Sequence, residues 1–366
     1  MYPMTSHTTE NTLERITPIA KQIGITRIAN ITGLDHIGIP VANCIRPNAK
    51  HLSVSQGKGV NWELAKISAI MESIEAYHAE NPQEADLFGT FNDLQLQHNI
   101  IHPRYFANQF FDCSLESVNL PWIWSTHLIS NQSILIPHDV ICLDSSKPLQ
   151  HRWLFNVTSN GLAAGNTKEE AMLHALYEII ERNTLTNWKK LSSAEKTHSQ
   201  IDLTSITSEI NQALLNKFSL ANIQVTIWDI TSHLPIPAYY CMITDDHSYR
   251  NLGVFFGSGA HHSADIALMK ALLEAAQSRL TFIAGTRDEI FPHYYAGKKN
   301  NSNSFILVNG NKKFISNNNW LMTVDELIND LIHHLMQNHF QQIILLDHTK
   351  KELNIPVVHI FIPGMS

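Results

Sequence analysis

The stretch AKISAIMESIE, from Ala65 to Glu75, has a spacing that returns twice in the chain. Two alanines four residues apart are followed after three residues by a glutamate, and after three more by a second acidic or amide residue. The copies are AMLHALYEIIE, beginning at Ala171, and ALMKALLEAAQ, beginning at Ala267. Because small and polar positions recur every three or four residues, each copy predicts a helix with one close-packing face. A glycine-containing turn precedes every copy, so the chain is predicted to use one turn-and-helix unit three times.

The remaining pattern predicts an α/β (α+β) protein with mixed sheets, folded as a single domain. Helices are predicted at 62–80, 168–190, 263–284 and 323–338, the last opening with a capping box at Thr323 and Glu326. Short runs rich in β-branched or aromatic residues predict strands at 37–46, 140–144, 223–230, 236–244, 252–256, 342–347 and 357–362. The polar stretch 298–319 is predicted to be either a lid or an ordinary surface loop.

Composition excludes several classes of protein. A net charge of −7 over 366 residues lacks the Lys/Arg excess of a protein that binds nucleic acid through a basic surface. The polar N-terminus has no signal-peptide core, and no later run approaches the length of a membrane span, so a soluble cytoplasmic protein is predicted. The four cysteines are far apart and form no CxxC pair, which argues against a zinc knuckle and a disulfide framework.

Acidic residues form a stripe on each of the first two repeated helices. On the first helix, Ser68, Glu72 and Glu75 share one side, and on the second Glu170, His174, Glu178 and Glu181 do so, followed by Arg182. Like charges at this spacing destabilise an isolated helix by about 0.2–0.5 kcal/mol per pair, so a counter-charge is expected. Mg²⁺ with a polyphosphate is the leading interpretation. The alternative is a solvated helix face, which needs no ligand.

The turn before the first helix, Gly57-Lys58-Gly59, lacks the full phosphate-loop pattern. Lys58 is therefore a candidate phosphate contact, while a glycine-rich helix entry without any ligand is the alternative.

These segments resemble the ATP-site motifs of the YcaO family. Residues 53–80 are similar to its first motif, S-x3-E-x2-E, residues 161–182 to the second, and residues 271–280 to a later motif with a phosphate-binding arginine. That arginine is assigned to Arg279 rather than Arg287. The match extends over residues 24–366 as a YcaO domain, preceded by an N-terminal extension at 1–23.

The resemblance implies that ATP phosphorylates the oxygen of a peptide-backbone amide to which a nucleophile has added, after which phosphate leaves. The cofactors implied are ATP and Mg²⁺, and no residue is assigned as catalytic. The implied ATP-binding residues are Lys58, Ser68, Glu72, Asn166, Glu170, Arg182 and Arg279. The implied magnesium ligands are Glu72, Glu75, Glu178 and Glu181.

Three segments resemble one branch of this family more than the others. Residues 355–366 lack the proline-rich tail of many azoline-forming cyclodehydratases and, with residues 53–59 and 277–289, look more like YcaO proteins encoded with a TfuA partner. Backbone thioamidation is the reaction associated with that branch, and His359 stands where it would have an arginine. The implied partners are a peptide or protein substrate and a separate TfuA-type protein, with a homodimer left open.

Three alternatives remain. The first is an azoline-forming cyclodehydratase, which would require Cys, Ser or Thr beside the reacting carbonyl. The second is a non-catalytic nucleotide-binding scaffold. The third, a carboxylate–metal hydrolase, is disfavoured because no histidine ligand set accompanies the glutamates.

Overall fold

The computed structural model describes residues 7–108, 114–146, 152–245, 252–286, 310–317 and 322–365. Cys113, Arg287 and most of the predicted loop at 298–319 lie outside these ranges. The helices are α1 (Thr9–Gln22), α2 (Trp62–Glu80), α3 (Phe91–Leu94), α4 (Lys168–Lys189), α5 (Ser193–His198), α6 (Glu209–Leu220), α7 (Ala264–Ala284) and α8 (Val324–Gln337). The strands are β1 (Arg27–Asn30), β2 (Val41–Ile45), β3 (Val54–Lys58), β4 (Leu87–Gly89), β5 (Leu120–His127), β6 (Gln132–Pro137), β7 (Leu162–Ala164), β8 (Ile201–Asp202), β9 (Gln224–Asp229), β10 (Ala238–Thr244), β11 (Val254–Ala260), β12 (Lys312–Lys313), β13 (Ile344–Asp347) and β14 (Val357–Phe361).

The four predicted helices are confirmed, and each begins after a capping side chain. Asn61, Thr167 and Ser263 accept hydrogen bonds from backbone N–H groups in the first turns of α2, α4 and α7. At the start of α8, Thr323 and Glu326 form the predicted capping box. These local interactions explain why the helix starts could be predicted closely.

The sheets are antiparallel, except for a short parallel pair of β8 and β12. One sheet has the order β1-β2-β3 and another β11-β10-β9, while a six-stranded sheet has the order β4-β5-β13-β14-β7 with β6 also paired to β5. The strand predicted at 140–144 is wrong. His138–Ile141 forms a 3₁₀ turn instead, and Val140 and Ile141 are buried there without joining a ladder. A short apolar run does not distinguish a buried turn from a strand.

Three strand-and-helix units form a ring. Unit 1 consists of β3 and α2, unit 2 of β7 and α4, and unit 3 of β11 and α7. Each helix packs on the strand of its own unit and also on the strand of the next one: α2 on β7, α4 on β11, and α7 on β3. The three repeated segments therefore surround a common centre.

Glycines allow the helices to lie directly on the strands. A Cβ built on Gly57 would be 2.1 Å from the backbone nitrogen of Ala69 and 2.2 Å from the carbonyl oxygen of Ala65. In unit 3, a Cβ on Gly259 would be 2.3 Å from the carbonyl oxygen of Ala267, the residue that matches Ala65 in the repeat. Any side chain at these glycines would push strand and helix apart, because the atoms in the way belong to backbone.

Hydrogen bonds from the last position of each repeat join neighbouring units. They link Glu75 Oε1 to the backbone nitrogen of Ala164 at 2.7 Å, Glu181 Oε1 to Ser258 Oγ at 2.6 Å, Glu181 Oε2 to the backbone nitrogen of Ala260 at 3.1 Å, and Gln277 Nε2 to the carbonyl oxygen of Gln56 at 3.0 Å. Equivalent residues thus bind the strand of the following unit around the whole ring.

Helix α1 belongs to the predicted N-terminal extension, yet it packs against α2. Its apolar residues Ile16 and Ala20 are buried in the same core cluster as Ala65 and Ala69. In the described ranges, no helix combines the length and apolarity needed to cross a bilayer.

Two histidines are buried beside each other at the six-stranded sheet. His348 follows β13, and His359 on β14 lies with its ring centroid 5.9 Å from that of His348. Nε2 of His359 is 3.1 Å from the carbonyl oxygen of Asn160. Burial lowers the pKa of His359 to about 4 and that of His348 well below its usual value. Both imidazoles are therefore neutral in the folded protein at pH 7.

The buried histidines predict loss of stability in acid. The pKa of His359 is lower in the folded than in the unfolded state, so stability is complete above about pH 7 and is lost as the pH falls towards 4. Between pH 7.5 and 5.0 this one group should reduce the free energy of unfolding by about 2 kcal/mol. Urea unfolding at the two pH values tests this, with His359→Phe expected to remove that part of the pH dependence. Replacing the exposed His198 by glutamine should leave the pH dependence unchanged, and an unchanged slope in His359→Phe would contradict the prediction.

Candidate functional site

A cavity of about 820 Å³ lies at the centre of the ring, and all three repeated helices line it. Residues at equivalent positions of the repeat face it in four layers: Leu64, Glu170 and Ile266; Ser68, His174 and Lys270; Met71, Tyr177 and Leu273; and Glu72, Glu178 and Glu274. The shared register of the repeats therefore brings their polar side chains into one site.

Carboxylates dominate the side of the cavity between α2 and α4. Glu72, Glu75 and Glu178 all line it. Burial raises the pKa of Glu178 to about 7, although Arg182 opposes the shift with its Nη2 atom 3.7 Å from Glu178 Oε1. Burial, together with the charges of Glu72 and Glu178, also raises the pKa of Glu75 well above its usual range. Both shifts arise chiefly from burial, with neighbouring carboxylates adding to them, so a cation beside these groups would favour their charged forms.

A divalent cation with phosphate oxygens fits this side of the cavity. Over the parts of the chain that the structure describes, no group of three or more His, Cys, Asp or Glu side chains is arranged to hold a metal by itself. Mg²⁺ does not require such a cage, because it usually takes one or two protein carboxylates and completes its octahedron with water and substrate phosphates. The raised pKa values of Glu75 and Glu178 mark where its charge would be stabilising.

The third unit contributes a carboxylate that is already paired. Glu274 Oε2 lies 3.0 Å from Lys58 Nζ, and both side chains line the cavity. Burial alone would raise the pKa of Glu274, but Lys58 and Arg182 outweigh it and hold that pKa below its usual value. Burial alone would lower the pKa of Lys58, but Glu274 raises it. Lys58 is thus a fixed ammonium group at the position predicted for a phosphate contact.

The structure brings most of the predicted nucleotide-binding residues to the cavity. Lys58, Ser68, Glu72, Asn166, Glu170 and Arg182 all line it. The carboxamide of Asn166 is oriented from α1, because Thr12 Oγ1 donates to Asn166 Oδ1 at 3.1 Å. Its backbone nitrogen donates to Glu170 Oε2 at 3.0 Å. With Oδ1 occupied, the Nδ2 group of Asn166 is the end available to a ligand oxygen.

Two predicted site residues are placed elsewhere. Arg279 is 2% exposed and forms ion pairs with Asp35 at 3.0 Å and Asp245 at 3.1 Å. It lies nine residues beyond Lys270, which is about two and a half turns and therefore the opposite side of α7. Glu181, predicted as a metal ligand, uses both oxygens to bind β11. Neither residue is among those that line the cavity.

Other residues of the cavity were not predicted. Tyr177, His261 and Lys270 line it, as does Thr12 on α1. Tyr177 and Lys270 occupy repeat positions equivalent to Met71 and Ser68. Comparing every position of the three repeats, beyond the alanines and the acidic or amide residues, would therefore have identified them. Thr12 has no comparable local pattern, because its role depends on where α1 packs.

Comparisons of the sequence place the chain in a known family. The family profile described as "YcaO cyclodehydratase, ATP- and Mg²⁺-binding" matches residues 56–366. An uncharacterised protein of Methanothermobacter thermautotrophicus is 29% identical, over 100% of this chain and 96% of its own. A protein encoded in the 3′ region of tfuA in Rhizobium leguminosarum bv. trifolii is 29% identical, over 98% of this chain and 88% of its own.

Solved structures share the fold. YcaO from Methanopyrus kandleri, bound with AMPPCP and Mg²⁺, superposes with a TM-score of 0.71 at 17% identity, over 99% of this chain and 92% of that one. A heterocyclase in complex with substrate and cofactor gives a TM-score of 0.75 at 20% identity, over 99% of this chain and 53% of that one. The Escherichia coli microcin synthetase McbBCD complex with pro-MccB17 bound gives 0.67 at 17% identity, over 92% of this chain and 87% of that one. With the family profile matching most of its length, the chain belongs to the YcaO family, as the motifs around Glu72 and Glu178 predicted.

Proposed function

We propose that the chain is an ATP-dependent enzyme that phosphorylates the carbonyl oxygen of a peptide-backbone amide after a nucleophile has added to its carbon. The observation that carries the proposal is the cavity at the centre of the ring. Most of its carboxylates come from α2 and α4, and two cationic side chains, Lys58 and Arg182, line the same space. This combination suits a triphosphate with its metal better than it suits a neutral ligand.

The acidic and basic residues of the cavity would bind different parts of the nucleotide complex. Glu72, Glu75 and Glu178 would hold Mg²⁺, which when bound would draw negative charge from the phosphate oxygens. Lys58 and Arg182 would bind phosphate oxygens, with Glu274 keeping the Lys58 ammonium protonated and directed into the cavity. Such fixed charges are most effective where transferred phosphate develops charge, since they need not reorganise during the reaction.

The chemistry needs activation because an amide oxygen is a poor leaving group. The γ-phosphate would be transferred to the oxygen of the tetrahedral adduct, with release of ADP. The C–O bond would then break and release phosphate, which leaves the nucleophile atom on carbon. If that atom is sulfur, one ATP and one sulfide convert an amide into a thioamide, ADP and phosphate.

Thioamidation with a TfuA-type partner is the form of the reaction that we favour. A relative that matches nearly the whole chain is encoded beside tfuA. Azoline formation is the second candidate, because similar structures include a heterocyclase in complex with substrate.

Mass spectrometry of the modified substrate separates these products. Exchange of oxygen for sulfur adds about 16 Da, whereas loss of water removes about 18 Da from the same amide. The assay would incubate the chain with Mg²⁺ and ATP, a sulfide source, a TfuA-type protein and a candidate peptide, with Glu72→Gln as the inactive control. A gain of 16 Da that requires ATP and intact Glu72 supports thioamidation. A loss of 18 Da would replace it with azoline formation, and ATP binding without either change would favour a scaffold.

A further inference from the structure

A buried chain of hydrogen bonds leads from helix α8 to the wall of the cavity. Tyr177 Oη lies 2.6 Å from His262 Nδ1, and His262 Nε2 lies 3.0 Å from Asp330 Oδ2. Tyr177 and His262 are 2% and 4% exposed, whereas Asp330 on α8 is partly exposed. Asp330 also lies 3.5 Å from Nε2 of His334, one turn further along α8. The chain thus connects the protein surface to a residue that lines the cavity.

The direction of each hydrogen bond follows from the chemistry of its members. A carboxylate only accepts hydrogen bonds, so the hydrogen between His262 and Asp330 resides on Nε2. Burial lowers the pKa of His262, so the ring is neutral and Nδ1 has only a lone pair. Tyr177 must therefore donate its hydroxyl hydrogen to Nδ1. Its oxygen keeps lone pairs and can only accept a hydrogen bond from any other group.

Tyr177 is held from other sides as well. Its ring lies 4.8 Å from the ring of His261, and Lys270 Nζ is 5.8 Å from its centroid. Within the repeat it shares a layer with Met71 and Leu273, so it is the polar member of that layer. It also precedes Glu178, placing it beside the carboxylates of the cavity.

Resting on the function proposed above, we propose that Tyr177 accepts a hydrogen bond from the attacking group and that His262 and Asp330 are positioning residues for it. The attacking group is a sulfide, thiol, amine or water, each of which carries a hydrogen on the attacking atom. The role of Asp330 is to select the His262 tautomer that leaves Tyr177 Oη as an acceptor. An acceptor at this position orients the nucleophile without binding the nucleotide.

The test compares Tyr177→Phe and Asp330→Asn with Asp325→Asn, a control on the exposed N-terminal turn of α8. The rate of ATP turnover in the assay described above, with sulfide and the candidate peptide present, should fall about tenfold or more in Tyr177→Phe and Asp330→Asn, with the KM for ATP unchanged within about twofold. The double variant should be no slower than either single variant, because both changes remove the same interaction. The control should match the unaltered chain.

Histidine ring ¹⁵N NMR gives a second readout that general destabilisation would not produce. The unaltered chain should show His262 as the neutral Nε2–H tautomer. In Asp330→Asn that tautomer should no longer dominate, because an amide can either donate or accept. Wild-type turnover rates in Tyr177→Phe and Asp330→Asn, or a His262 ring that is not the Nε2–H tautomer in the unaltered chain, would overturn this inference. If the unaltered chain turns over ATP with the peptide and both variants keep its rate, this inference alone fails, whereas absence of ATP binding and turnover in the unaltered chain would overturn the proposed function itself.

Discussion

Replacing Glu72 or Glu178 by glutamine is expected to weaken binding of ATP with Mg²⁺ at least a hundredfold, or about 3 kcal/mol. Both carboxylates line the cavity at equivalent positions of their helices, and both face the same space. Glutamine keeps the shape of the side chain but removes the charge that a hard cation requires. In Glu178→Gln, Arg182 also loses the carboxylate that lies 3.7 Å from its Nη2 atom. Isothermal titration calorimetry of each variant with ATP and Mg²⁺ measures the effect.

Matched controls are available on the same two helices. Glu63 on α2 and Glu169 on α4 are exposed residues in the first turns, so Glu63→Gln and Glu169→Gln should bind as the unaltered chain does. Unchanged affinity in Glu72→Gln would remove that residue from the set of ligands. If the unaltered chain also fails to bind, the titration should be repeated with the TfuA-type protein, because a partner would then have to complete the site.

Sequence patterns predicted the long helices because the responsible interactions are local. The caps at Asn61, Thr167 and Thr323 lie within a few residues of the groups that they bind. Strand β5 was missed because it contains Pro121 and because each of its faces mixes apolar and polar residues, with Trp122 and Thr126 on one face and Ile123 and Ser125 on the other. Its hairpin with β6 is local, but its place in the six-stranded sheet also depends on pairing with β13, which lies more than 200 residues away along the chain. No local pattern encodes a partner at that distance.

The candidate site was predictable where the repeat fixed it. Glu72 and Glu178 could be paired from the sequence because both follow the second alanine of a repeat by three residues. The pairing of Lys58 with Glu274 could not, since it depends on α7 packing against β3 across the ring. Arg279 shows the opposite limit. Its motif predicted a phosphate contact. Its position along the helix and its ion pairs with two buried aspartates instead place it on the side of α7 that faces away from the cavity.

The three units have diverged in charge while keeping one geometry. Units 1 and 2 direct Glu72 and Glu178 into the cavity, where a metal would be stabilising. In unit 3, the equivalent Glu274 already has an ammonium partner in Lys58. The three units thus form one cavity with two different sides. On the side of Glu72 and Glu178 a metal ion would be stabilising, and on the side of Glu274 the carboxylate is paired with Lys58. This asymmetry would favour one orientation of a bound nucleotide over those related to it by the repeat.

Gly57→Ala is expected to lower the free energy of unfolding by about 3 kcal/mol or more, the largest effect on stability that we predict. The new Cβ would lie 2.1 Å from the nitrogen of Ala69 and 2.2 Å from the oxygen of Ala65. Both are backbone atoms, so no side-chain rotation relieves the overlap, and β3 must move away from α2. That displacement would also disturb the Gln277 bond to β3 that joins units 3 and 1.

Gly33→Ala is the matched control, because a Cβ at Gly33 meets no atom within 4 Å. Its free energy of unfolding should stay within about 1 kcal/mol of the unaltered chain, since only backbone entropy and solvent exposure change. Gly257→Ala should repeat the large loss, because its Cβ would be 2.2 Å from the nitrogen of Ala275 in unit 3. Urea unfolding compares the three variants. A Gly57→Ala protein as stable as Gly33→Ala would mean that β3 and α2 are not in direct contact, and the ring around the cavity could not be closed as described.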